Sequence, residues 1–215
     1  IVCGKTTDHA FLVLEHIPLN RLSTRSEQLL GQQLAELHRQ EQPYFGWHRD
    51  NTIGSTAQIN GRHHDWITFW SEQRLGHQLT LAAAKGYGGS LQTLGEKLCA
   101  NLKPLFSGYR PQPALVHGDL WCGNAAADDQ DNPVIYDPAC YFGDRETDLA
   151  MTELFGGFGP AFYQAYQAVY PLDPGYARRK TLYNLYHILN HLNLFGQSYL
   201  HQAKNMIVTL LKAVE

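Results

Sequence analysis

The chain has 215 residues, of which 44% are hydrophobic and 17% charged, so it can bury a sizeable core in one large domain. A formal net charge of −3 argues against nucleic acid or an anionic membrane surface as the main partner, and no apolar run approaches the ~20 residues that span a bilayer. Cys3, Cys99, Cys122 and Cys140 are scattered without a C-x-x-C pair, and the N-terminus, which does not begin with Met, shows no signal-peptide pattern, so the chain reads as reduced and cytoplasmic.

The first element, residues 10–14 (A-F-L-V-L), reads as a buried strand leaving a sheet, stopped by Pro18. From Ser23 a helix begins in which Ser26 can cap and Leu29, Leu30, Leu34 and Leu37 recur at helical spacing. Residues 43–60 read as a loop whose Tyr44, Phe45 and Trp47 either close the core or face a substrate. His63-His64-Asp65 reads as a helix entry and not as a metal site, because adjacent side chains diverge and Asp65 is a good N-cap. The helix it opens carries Trp66, Phe69 and Trp70 and ends near Gly86 to Gly89. A second helix, over 91–106, should be kinked or stopped by Pro104.

The densest chemistry lies at 114–137. A short apolar run enters His117-Gly118-Asp119, Asn124 follows five positions after Asp119, turn residues fill 128–132, and P-V-I-Y then delivers Asp137. Read as strand, loop, strand, this hairpin brings Asp119, Asn124 and Asp137 to one end of one small sheet. Three oxygen-bearing side chains at a loop mouth suit a hard cation that shares its shell with phosphates, and magnesium fits best. The spacing His-x-Asp-x4-Asn followed by a later Asp has the form of a kinase catalytic loop and its metal-binding Asp. Asp119 is then the base, and Asn124 with Asp137 holds the metal. A single Asp or Asn in a loop is usually a turn residue, but turn chemistry alone does not set this order and spacing.

Further helices are expected over 145–155, 160–170, 176–194 and 197–214. Asp148, in the first turns of one of them, could simply favour the positive end of the helix dipole. His187 and His191 share a helical face, but Ile188 stands where H-E-x-x-H needs its Glu, so both read as satisfied or surface histidines.

The stretch H-G-D-L-W-C-G-N, with V-I-Y-D-P-A-C-Y-F-G-D-R-E-T-D-L-A-M-T-E-L-F-G-G-F after it, resembles the fructosamine (ketosamine) kinases, within the wider aminoglycoside phosphotransferase and choline kinase group. Trp121, Gly123 and the tail through Glu153 and Phe158 narrow the likeness to the fructosamine kinases, and Cys122 stands where a small residue such as serine is expected. The resemblance implies an α+β, protein-kinase-like fold whose large lobe is mostly helical, carrying a small catalytic hairpin. It implies ATP and Mg2+ as cofactors and a ketosamine, free or protein-bound, as acceptor, with no nucleic acid or membrane partner. L-V-L-E-H-I-P-L resembles the inter-lobe hinge, where backbone groups of Glu15, His16 and Ile17 would meet adenine. Trp121 and Trp66 would line the sugar pocket, while His117 and Asp148 would support the loop.

Before that hinge stand no Gly-rich loop, no strand Lys and no helix Glu to hold it. The expectation is that residues 1–18 are the remnant of a small lobe plus hinge and 19–215 the catalytic lobe, and that these residues alone do not turn over ATP. Two other readings stand beside the ketosamine kinase: a phosphotransferase for an aminoglycoside or choline, and a non-catalytic nucleotide-binding fragment. The sequence specifies no oligomeric state.

Overall fold

In the computed structural model, which describes residues 1–214, the first helix, α1 (Thr24–His38), is capped by Ser23 and not by Ser26. Ser23 Oγ accepts the Ser26 N–H at 3.2 Å and Ser26 Oγ accepts the Ser23 N–H at 2.8 Å, a reciprocal capping box. Leu30 and Leu34 bury against Phe162 and Tyr166 of α6 (Pro160–Val169). The two helices approach closely because Gly31 has no side chain: a Cβ there would lie 2.3 Å from the Phe162 carbonyl oxygen.

Ahead of α1, β1 (Val2–Lys5) pairs antiparallel with β2 (Ala10–Val13). The expected buried strand is an exposed one, with Leu12 61% and Val13 53% accessible, because only β1 pairs with it and no core packs on either face. Residues 43–60 are not one loop. They contain the hairpin of β3 (Asn51–Ile53) and β4 (Thr56–Gln58), turned at Gly54 with φ +57°. Phe45 joins the core and Trp47 packs edge-on against Phe142 at 4.7 Å, so these aromatics close the core.

Asp65 caps as expected, its Oδ1 accepting the Thr68 N–H at 2.7 Å. The helix runs as α2 (Trp66–Phe69), a π-helical stretch Trp70–Gly76, and α3 (His77–Ala84). The π stretch swings Arg74 into the core, where its guanidinium lies 4.0 Å from the Tyr141 ring centroid and donates to the Ile59 carbonyl at 2.6 Å. The expected helix over 91–106 is two pieces, α4 (Ser90–Cys99) and a 3-10 turn, Lys103–Phe106. Pro104 occupies the first turn of the second piece, where its missing N–H leaves no bond unmade.

The hairpin expected across the 128–132 turn forms, but the run that precedes Asp119 belongs to a second sheet and not to the same one. β5 (Ala114–Val116) pairs with β8 (Tyr141–Gly143), and β6 (Ala125–Ala127) pairs with β7 (Pro133–Ile135) across the turn at 128–132. Asp119 therefore leaves one sheet, while Asn124 and Asp137 flank the other. Beyond them come α5 (Glu146–Thr152), α6, α7 (Tyr176–Phe195), a 3-10 turn Gln197–Tyr199, and α8 (Leu200–Val214). Leu182, Tyr183, Leu185, Tyr186, Ile188, Leu189 and Leu192 make α7 the central core helix.

The start of α5 buries several charges, each with partners. Arg179 of α7 donates to both Glu146 oxygens at 2.7 and 2.9 Å and to Asp173 at 2.7 Å, while Asp144 accepts from the Tyr109 hydroxyl at 2.8 Å and from Tyr183. Removing one partner of such a pair would leave a desolvated charge, so this cluster fixes α5 against α7. All four cysteines are free, and among the described residues no helix is long and apolar enough to cross a membrane.

Candidate active site

The apolar β5 strand ends at His117, and the chain then turns through Gly118 at φ +82°. A Cβ on Gly118 would lie 2.2 Å from the Ala139 carbonyl oxygen, so glycine is required by both dihedral and space. His117 ties this loop to the β7 end: its Nε2 lies 2.9 Å from the Tyr136 carbonyl, and the Asp119 N–H donates to its Nδ1 at 3.3 Å. Because a carbonyl can only accept, Nε2 carries the proton, which frees Nδ1 to accept from Asp119. Asp148, fully buried on α5, accepts the His117 N–H at 2.7 Å and the Gly118 N–H at 2.9 Å. Burial alone would raise its carboxyl, yet the His38 hydrogen bond and neighbouring donors bring it below the usual range. Asp148 thus holds His117 and Gly118, the two residues before Asp119, and His117 links Tyr136 to the Asp119 N–H.

Asp119 is half-buried and its carboxyl is pushed up to about 6, first by burial and then by the charge of Asp148, with Asp137 adding to the effect. Asn124 opposes this. Its Nδ2 donates to the Asp119 carbonyl at 2.9 Å and lies 3.4 Å from Oδ2. That contact turns the amide oxygen away from Asp119 and leaves it available to a cation. The Tyr136 N–H donates to the Asn124 carbonyl at 3.1 Å, which places Asp137, exposed and at φ +52°, beside Asn124. An amide oxygen and an exposed carboxylate are hard donors of the kind magnesium takes while sharing its shell with water and phosphate, so the residues fit that ion. Among the described residues no cluster of three or more His, Cys, Asp or Glu side chains forms a complete cage.

On its other side Asp119 opens into a cavity of about 490 Å³. Trp121 forms one wall, stacked edge-on to Phe155 at 6.5 Å, and Gly123 makes room for it, since a Cβ there would lie 2.3 Å from the indole. The facing wall is α7: His187, Asn190, His191 and Phe195, with Tyr199 beyond. The two histidines, read from the sequence as satisfied or surface groups, both line this cavity. His187 is buried with Nδ1 3.9 Å from Asp119 Oδ1, and burial lowers its imidazole to about 3, so it meets Asp119 as a neutral ring and not as an ion pair. His191 Nδ1 lies 2.7 Å from the His187 carbonyl. The sequence signal was available: His187, Asn190 and His191 recur at i, i+3, i+4 on an otherwise apolar core helix, a polar stripe that needs a polar surface to face.

Trp66 stands elsewhere. It is 2% exposed, donates Nε1–H to the Tyr183 hydroxyl at 3.2 Å, and touches a separate cavity with Lys103 and Tyr109, not the one at Asp119. Its indole is drawn into the aromatic core by Phe69, Trp70 and Tyr183, which corrects its placement in the sugar pocket. Glu15, His16 and Ile17 border a shallow cavity of about 300 Å³ against the 128–130 turn. Asn20 holds this segment in place through paired backbone bonds with Ala127 at 2.8 and 2.9 Å. No hydrogen bond among the described residues engages the backbone of 15–17.

A loop carrying Asp119 and backed by a buried carboxylate, with an amide and a second carboxylate across two small sheets, fits a protein-kinase-like fold. Residues 1–213 match the family model described as fructosamine kinase, and the chain belongs to that family. A Vibrio parahaemolyticus protein assigned as a ketoamine kinase is 50% identical over 95% of this chain and 70% of its own length. A protein-ribulosamine 3-kinase of Arabidopsis thaliana is 43% identical over 97% of this chain and 64% of its own. The crystal structure of a Haemophilus somnus protein assigned as a fructosamine-3-kinase superposes with TM-score 0.87 at 34% identity, over 98% of this chain and 71% of that one. A Streptococcus pneumoniae choline kinase, at 11% identity and TM-score 0.59, shares the fold.

Proposed function

We propose that the chain carries the catalytic lobe of an ATP-dependent kinase that phosphorylates a sugar hydroxyl of ketosamines, free or protein-bound, in the cytoplasm. The observation that carries this reading is the position of Asp119 between the two halves of the reaction: hard oxygen donors on one side, an aromatic and polar cavity on the other. The acceptor hydroxyl donates its hydrogen bond to Asp119, which takes the proton late as the oxygen bonds to the γ-phosphorus and ADP leaves. Asn124 and Asp137 would hold Mg2+, which neutralises phosphate charge when bound. Trp121 stacks on the sugar, and free backbone groups of Glu15 to Ile17 meet adenine. The phosphorylated ketosamine is less stable than its parent and releases the amine, which makes the reaction a deglycation step.

The cavity favours a sugar over a cationic acceptor, because among the described residues Asp119 is the only carboxylate lining it. The test is magnesium-dependent ADP formation by a protein that carries these residues together with a phosphate-covering small lobe, with fructosyl-lysine, kanamycin and choline in parallel. Turnover with fructosyl-lysine well above the other two is expected. A preference for kanamycin or choline would overturn the assignment of the acceptor, and nucleotide binding without turnover on any of them would overturn the assignment of catalysis.

A further inference from the structure

Asp148 reaches the catalytic loop, but something must aim Asp148. Its Oδ2 also lies 3.2 Å from Nε2 of His38, the last residue of α1, and His38 Nδ1 lies 2.9 Å from the Tyr166 hydroxyl on α6. Arg145, one turn before Asp148, donates Nη1–H to that same hydroxyl at 3.1 Å and is itself fixed by the Tyr170 and Pro171 carbonyls at 2.8 and 2.5 Å. The four side chains form a buried chain, Arg145 to Tyr166 to His38 to Asp148, whose Asp148 end meets the N–H groups of His117 and Gly118.

The direction of its hydrogen bonds follows from what each group can do. Arginine only donates, so the Tyr166 oxygen accepts from Arg145 and its own O–H is left to donate. The acceptor within reach is His38 Nδ1, so the imidazole is neutral and its Nε2–H points at Asp148. A protonated His38 would aim a second donor at the Tyr166 oxygen and strand the hydroxyl hydrogen in a site 1% exposed, a cost that buried polar groups avoid. Every donor then finds an acceptor, and the polarity runs one way, toward the carboxylate that holds the loop.

We infer that His38 and Tyr166 are positioning residues for phosphotransfer: their chain orients the Asp148 carboxylate so that both its oxygens hold the loop that presents Asp119. The inference rests on the proposed role of Asp119 but is tested first without turnover. In the protein labelled at histidine, nitrogen and proton spectra should show a His38 proton on Nε2 hydrogen-bonded to Asp148, with Nδ1 accepting from Tyr166. The His117 and Gly118 amides should exchange slowly, and Tyr166→Phe should speed them relative to the slowest amides of α7. In the turnover assay, Tyr166→Phe and His38→Leu should lower kcat roughly tenfold to a hundredfold with the KM values for ATP and acceptor nearly unchanged, since small misplacement of a reacting group is costly. His38→Gln, whose amide can accept from Tyr166 and donate to Asp148, should recover most of the loss. An Nδ1-protonated or charged His38, equal acceleration of loop and α7 amides, or unchanged kcat in both variants would overturn the inference. A failure of turnover in every form would count against the proposed function and leave the spectra to decide this one.

Discussion

The loop at 117–119 and the segment at 1–19 are built in opposite ways. The loop is held by β5, by Asp148 on two of its amides, by His117 through Tyr136, and by a glycine that fits under Ala139. The N-terminal segment exposes nearly every residue, including Phe11, Leu12, Val13 and Leu14, and its main anchor is the backbone pair of Asn20 with Ala127. The difference suits the roles proposed for the two regions. A group that meets developing charge must be fixed before reaction, because preorganised dipoles do not have to reorganise during it. In the proposed reading residues 15–17 meet adenine through their backbone, which requires N–H and C=O groups left unengaged.

Breaking the metal end should have the largest effect. Asp137→Ala removes the anionic donor beside Asn124 and should abolish the magnesium-dependent part of nucleotide binding, measured by calorimetry with and without the ion; His187→Ala should leave it intact. Next comes the loop itself. Gly118→Ala forces a side chain into φ +82° and toward the Ala139 carbonyl, and should lower unfolding free energy by about 1–3 kcal/mol in denaturant titrations.

A smaller effect sharpens the comparison from the electrostatic side. With the Asp119 carboxyl pushed up to about 6 in the metal-free fold, against roughly 3.9 in the unfolded chain, its ionised form is disfavoured by folding. Stability is therefore lost as pH rises between those values. Metal-free Asp119→Asn should melt above the wild type at pH 7, with the gain closing as pH falls toward about 4. The smallest effect belongs to the hairpin: Leu12→Ser should change unfolding free energy by no more than about 0.5 kcal/mol, since Leu12 is 61% exposed.

The helical body was largely legible from spacing, because α6, α7 and α8 repeat apolar residues with the helical period, and α6 and α7 are bounded by Gly or Pro. Asp119, Asn124 and Asp137 were legible because a fixed order of polar residues survives in one short stretch. The pairing of β5 with β8 was not, since three-residue strands carry no register signal and the partner lies far along the chain. That His187 and His191 line the cavity at Asp119 was not legible for a related reason. His187 and His191 approach Asp119 only when α7 packs against α5, a contact that no local pattern encodes. Trp66 was placed in the pocket by likeness alone, where the aromatic packing of Phe69, Trp70 and Tyr183 takes it into the core.

The central claim, that the held loop exists to present Asp119 to an acceptor hydroxyl, is tested most directly by assaying turnover and ATP affinity on the same preparation of Asp119→Asn. The expected result is a fall in kcat of roughly 10²-fold or more with the nucleotide dissociation constant nearly unchanged. Near-wild-type turnover with fructosyl-lysine would contradict it.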